Sequence, residues 1–222
     1  LELGTGNVVV ASSYISFPAS SMGAYAVVDV AADAAPIVRS SDFARTYGHS
    51  GSAPSTASAP FFRVKGGSGT VRGTFAGNRL WVSNAGSSRY SFFDRGATGA
   101  FQPEACFGNF FGPSTATLFG VWSAGTGTTW SNLDSIATAQ PVTAWANTVD
   151  EGAVAASTGL AMLPALPTST LLGFGQDAAV QLRALDAGAP WDWRRLPLDR
   201  DLRDRLRPDE NAAIGAQEPN GT

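Results

Sequence analysis

From Pro60 to Val82 the chain alternates apolar and polar positions with a period of two, interrupted by glycine-rich steps. The order is Phe61-Phe62-Arg63-Val64-Lys65, Gly66-Gly67-Ser68-Gly69, Thr70-Val71-Arg72-Gly73-Thr74-Phe75, Gly77-Asn78 and Arg79-Leu80-Trp81-Val82. Successive side chains of a strand point to opposite faces, so Phe62 and Val64 share one face while Arg63 and Lys65 share the other. Val71, Gly73 and Phe75 likewise oppose Arg72 and Thr74. The glycine-rich steps read as turns. Asn84-Ala-Gly86 and Asp94-Arg-Gly96 add two more turn signals on either side of a strand at Arg89–Phe93, and Thr115–Trp122 predicts a further apolar strand before Gly125-Thr-Gly127.

The flanks are less regular. Val8–Val10 and Ala24–Val30 are short β-prone runs, while Ile37–Tyr47 predicts one or two helical turns with Ser41 or Asp42 near the cap. Gly48–Ala59 reads as loop. Ala137–Trp145 and Gly152–Leu163 are alanine-rich, and Leu171–Phe174 and Ala178–Leu185 read as the last core strands. About eight strands in total predict an all-β, eight-stranded antiparallel jelly-roll sandwich. A short C-terminal helix is expected as well: Leu198, Leu202 and Leu206 recur every fourth residue, Asp199/Arg203, Arg200/Asp204 and Asp201/Arg205 are opposite-charge pairs at the same spacing, and Pro208 stops it. The division is 1–35 as an N-terminal arm or first strand, 36–198 as the jelly roll, and 199–222 as helix and tail.

Composition sharpens this reading. Ten of the 13 Phe fall between Phe61 and Phe119, interleaved with Gly, Ser, Thr and Pro, which is the composition of strands and turns. Charged residues make up only 15% of the 222 positions. So few charges fit either a surface covered by neighbours or a neutral Ser/Thr/Gly-rich one. The formal charge of -3 and the lack of a basic arm argue against bulk electrostatic binding of nucleic acid by this chain alone. Lys65 is the sole lysine among 15 basic residues. That bias fits planar, bidentate ion pairing or GC-rich coding equally.

Candidate chemistry is sparse. Cys106, the single cysteine, excludes an internal disulfide, and Phe107, Phe110 and Phe111 beside it predict a buried, inert thiol. His49 is the single histidine and sits in the loop, without a recognisable nucleophile or orienting acid. Asp29/Asp33 and Asp150/Glu151 read as solvated turns rather than catalytic pairs. Gly66-Gly-Ser-Gly-Thr70 lacks the Gly-Lys-Ser/Thr of a phosphate-binding loop and precedes a strand. No catalytic, cofactor-binding or metal-ligating residue is assigned, no cofactor is expected, and the chain is not expected to be an enzyme. No apolar run is long enough to span a bilayer, so no membrane insertion is expected. A start at Leu1 fits proteolytic release from a longer chain or missing terminal residues. Trp191 and Trp193 alternate on one predicted strand face and, with Leu198, Leu202 and Leu206, form the candidate interface; core use of the two tryptophans is the competing reading.

Ala59-Pro-Phe-Phe-Arg63 followed by Gly66-Gly-Ser68 and Val71-Arg72-Gly73 resembles the capsid proteins of picorna-like viruses of the insect and marine branch. Ile37-Val-Arg39 through Phe43-Ala-Arg45, Leu163-Pro-Ala-Leu-Pro167, and Val180-Gln-Leu-Arg183 through Trp191-Asp-Trp193 extend the likeness over roughly Ile37 to Leu198. The resemblance implies a jelly-roll subunit cleaved from a polyprotein and assembled with itself and sister capsid subunits into an icosahedral shell around an RNA genome, with weak contact to that RNA. The expected location is the virion, and the host cytoplasm during assembly. A phage decoration or tail protein and a carbohydrate-binding β-sandwich module are the alternatives.

Overall fold

The computed structural model describes residues 1–19, 26–47, 59–82, 89–107, 109–112, 117–123, 126–129 and 201–206. Strand β1 (Glu2–Leu3) is followed by β2 (Val9–Ala11), β3 (Tyr14–Ala19) and β4 (Val28–Val30), then by β5 (Ile37–Arg39), β6 (Asp42–Tyr47) and β7 (Ala59–Val64). A third group follows as β8 (Thr70–Val71), β9 (Thr74–Ala76), β10 (Arg79–Val82) and β11 (Arg89–Asp94). The fourth comprises β12 (Ala100–Phe101), β13 (Ala105–Phe107), β14 (Phe110–Gly112) and β15 (Thr117–Ser123), with β16 (Thr126–Thr129) behind it. From β1 to β15, each strand pairs in parallel with its equivalents in the neighbouring groups. Three sheets result, ordered β13-β9-β5-β2, β14-β10-β6-β3 and β1-β4-β7-β11-β15-β16, with a short β12-β8 ladder at one corner. The chain visits the three sheets in the same sequence on every circuit. It is a three-sided parallel β-solenoid, a fold in which each coil buries its apolar face only by stacking on the next.

One corner shows why these residues coil. Between the first and second sheets stand Ser12-Ser13, Ser40-Ser41, Gly77-Asn78 and Asn109. The first residue turns the chain through left-handed backbone, with φ of 45° at Ser12, 47° at Ser40 and 64° at Gly77. The second residue links the coils. The Ser13 amide donates to Ser41 Oγ (3.1 Å), the Ser41 amide to Asn78 Oδ1 (3.2 Å) and the Asn78 amide to Asn109 Oδ1 (3.2 Å). In return Asn78 Nδ2 donates to the Val38 carbonyl (3.0 Å) and Asn109 Nδ2 to the Phe75 carbonyl (2.9 Å). Ser41, Asn78 and Asn109 are all buried, so this ladder satisfies amides and carbonyls that water does not reach.

Inside, the register builds columns: Val10, Val38, Phe75 and Cys106 on the first sheet, Ile15, Phe43 and Leu80 on the second, and Val28, Phe62, Phe93 and Val121 on the third. Phe62 joins the three walls. Its ring meets Phe43 edge-on at 4.9 Å, Phe75 edge-on at 5.2 Å and Phe92 tilted at 5.2 Å. A close approach seals the opposite corner, where Gly73 (φ +90°) leaves no room for a side chain: a Cβ there would lie 2.1 Å from the Pro36 carbonyl oxygen.

The antiparallel eight-stranded jelly roll is therefore corrected. The described strands are β as expected and Phe62 and Val64 do face inward, but pairing is parallel between coils, and Gly77-Asn78 is a corner rather than a reversal. Ile37–Tyr47 holds β5 and β6, not helical turns, because Ser41 joins the inter-coil ladder instead of capping a helix. No α-helix occurs among the described residues, and the expected C-terminal helix is replaced over 201–206 by a loop closed on an aspartate. The Asp201 amide donates to the Arg205 carbonyl (2.9 Å), which reverses helical polarity. Asp201 Oδ1 accepts the Arg203 and Arg205 amides (2.8 and 2.9 Å), while Oδ2 takes the Arg205 guanidinium. A carboxylate folding back on local amides competes with the helix at this spacing. The strands expected between Ala137 and Leu185 lie outside the described residues.

Asn78→Ala strips partners from the Ser41 amide and the Val38 carbonyl together. Urea denaturation is expected to show a loss of about 2–4 kcal/mol; a loss below about 0.5 kcal/mol would remove the ladder from the account. Phe62→Ala should cost about 3–5 kcal/mol in the same assay.

Candidate functional site: a charged column across the coils

Because Val28, Val30, Phe62 and Val64 are buried against the core, alternation turns Asp29 and Arg63 outward on the widest sheet. Parallel register then aligns Asp29 with Arg63 and Arg63 with Asp94, one strand spacing apart, about 4.8 Å. Arg63 Nε donates to Asp29 Oδ1 at 2.9 Å, and Nη2 lies 2.7 Å from the same oxygen. Both side chains are about a third exposed, at 30% and 31%. A pair in that setting contributes about 0–1 kcal/mol. At the edge of the column Lys65 Nζ and Glu2 Oε1 pair at 2.6 Å in open solvent.

Asp94 differs from the other two. Burial raises its pKa, while the Gly96 amide, which donates to Oδ1 at 2.8 Å, and the Arg63 charge pull it back. The Asp94-Arg-Gly96 segment is the turn expected from sequence, and its carboxylate is what shapes it.

A second register column runs Tyr14, Asp42, Arg79 on the adjoining sheet. Arg79 Nε and Nη2 donate to Asp42 Oδ1 and Oδ2 at 2.8 and 3.0 Å, and the carboxylate is wholly enclosed. Burial also raises the Tyr14 phenol pKa. Two-pronged pairing inside the protein locks the register of β6 and β10. It leaves the carboxylate engaged rather than poised as a base.

The remaining sequence candidates do not converge. Asp33 leaves its neighbour Asp29 and accepts the Thr70 amide at 2.9 Å. Gly66-Gly-Ser-Gly-Thr70 forms a turn in which Gly66, Gly67 and Gly69 take positive φ (78°, 69° and 90°), with a strand rather than a helix behind it. Cys106 is buried and free, and burial pushes its thiol pKa well up, as its phenylalanine neighbours led one to expect. No group of three or more metal-ligating side chains occurs among the described residues. No described helix is long and apolar enough to cross a membrane. Leu202 and Leu206 are exposed at the Asp201 loop, by 36% and 62%. Trp191, Trp193, Leu198, His49, Asp150 and Glu151 lie outside the described residues. Sequence reasoning missed Asn78, Asn109, Asp42 and Arg79; the signal for the asparagines is the Gly-Asn or Ser-Ser pair recurring after each three-residue strand.

No protein-family model, curated protein or solved structure matches the chain. With the sheets parallel and no match to any family, the likeness to picorna-like capsid proteins is corrected, and with it the icosahedral capsid function and the expected partners, namely sister capsid subunits and genomic RNA. The antiparallel sandwich on which that likeness rested is not the fold. Neither alternative is carried further.

The Asp94 shift has a definite sign. A carboxyl whose folded pKa is raised adds stability that is fully present below the unfolded pKa and is lost as pH rises through the folded one. Asp94→Asn, which keeps the oxygen facing Gly96, is expected to match or exceed the wild type in urea midpoint at pH 7, with the gap closing toward pH 4. A deficit at pH 7 that disappears at pH 4 would mean that the Arg63 attraction outweighs burial.

Proposed function

We propose that this chain is a non-enzymatic scaffold, a rigid solenoid that presents outward strand faces and corners at the fixed spacing of its coils. The observation that supports this reading is the ladder Ser13–Ser41–Asn78–Asn109, which couples consecutive coils into one stiff body. The charges point the same way. Asp29, Asp42 and Asp201 are each held by an arginine, and the Arg63 guanidinium stands between Asp29 and Asp94, where a substrate would have to sit for the two carboxyls to act on it together. A stack of this kind works by geometry, offering an extended surface whose many modest contacts add along its length.

The test is a turnover screen of the full chain against polysaccharide, ester and phosphoester substrates, run beside Asp29→Asn, Asp42→Asn and Asp94→Asn. No turnover above buffer is expected from any of the four. Turnover by the wild type that any of these substitutions abolishes would overturn the scaffold reading.

A further inference from the structure

Among the described residues the stack changes direction once. β15 takes β16 antiparallel, with Phe119 opposite Thr129, Val121 opposite Thr128, Trp122 opposite Gly127 and Ser123 opposite Thr126, and a register shift between Phe119 and Val121. The two strands are unlike. β15 reads Thr-Leu-Phe-Gly-Val-Trp-Ser and carries β11 on its other side, whereas β16 reads Thr-Gly-Thr-Thr. An apolar strand with an open edge is a template for pairing with another chain, and natural sheets blunt such edges with short polar strands and irregular register.

We propose that β16 is a guard strand: it covers the β15 edge and keeps it from pairing with β15 of a second copy of this chain. The proposal does not depend on the scaffold reading, since a guarded edge serves an enzyme equally well.

Successive residues of an antiparallel edge strand alternately point their amides toward the partner and away from it. Gly127→Pro and Thr128→Pro therefore differ, one deleting a bond to β15 and the other sparing it. In sedimentation velocity of the full chain, the wild type and one variant are expected to stay monomeric while the other variant shifts to dimers or larger species as concentration rises, with its β-sheet circular dichroism retained. Association of the wild type, of both variants, or of neither overturns the proposal. Hydrogen exchange on the wild type keeps the test decisive if a variant does not fold. β15 amides facing β16 should exchange as slowly as those of β11, and exchange at open-edge rates overturns the guard.

Discussion

The corner between the first and second sheets is buried, and a buried corner holds amides and carbonyls that no strand ladder satisfies. Here the Ser41–Asn78–Asn109 ladder meets that demand, each side chain serving the backbone of the coil beneath it. Left unsatisfied, each such group costs about 1–3 kcal/mol, a large share of the 5–15 kcal/mol by which ordinary domains are stable. The hydrophobic columns depend on the same arrangement. Once the corner sets the vertical register, Val38 lies over Phe75 and Phe43 over Leu80, and Phe62 reaches both walls.

Much of this was legible locally and little of it globally. Alternation at Phe62-Arg63-Val64 identified the inward face, and the Asp94-Arg-Gly96 turn was readable from its residue types. Pairing direction was not, because a two-residue Gly-Asn step between short strands serves a hairpin and a solenoid corner alike. The repeat itself was hidden by its unequal period: the ladder residues are 28, 37 and 31 apart, since segments of different length intervene between the corners. At Asp201 and Arg205 the spacing was read correctly as a pair, but a loop closed by the carboxylate satisfies it as well as a helix does.

The charge pattern follows from the stacking. Register places side chains of adjacent coils about 4.8 Å apart, so like charges in a column repel while alternating ones pair. Asp29 with Arg63 and Asp42 with Arg79 follow that rule, and in both the planar guanidinium brings two nitrogens to the carboxylate. The lone lysine makes its pair at an exposed edge, where a flexible point charge suffices. Of the two readings of the arginine bias, bidentate pairing is the one with residues to support it. Glu2 opposite Asp29 is the exception within the column and turns to Lys65 instead, while Asp94, beside Arg63, is a carboxyl whose burial outweighs the attraction of its neighbour.

Parallel stacking is the central claim, and engineered cysteines test it most directly. Adjacent coils place Cα atoms about 4.8 Å apart, within disulfide range, whereas two spacings exceed the roughly 7 Å limit. Cys106 is buried and stays silent. The measurement is intact-mass analysis after mild oxidation and thiol alkylation of the pairs Asp29→Cys with Arg63→Cys, Arg63→Cys with Asp94→Cys, and Asp29→Cys with Asp94→Cys. The parallel solenoid predicts crosslinking in the first two and free thiols in the third. Crosslinking in the third pair, or free thiols in the first two, would contradict it.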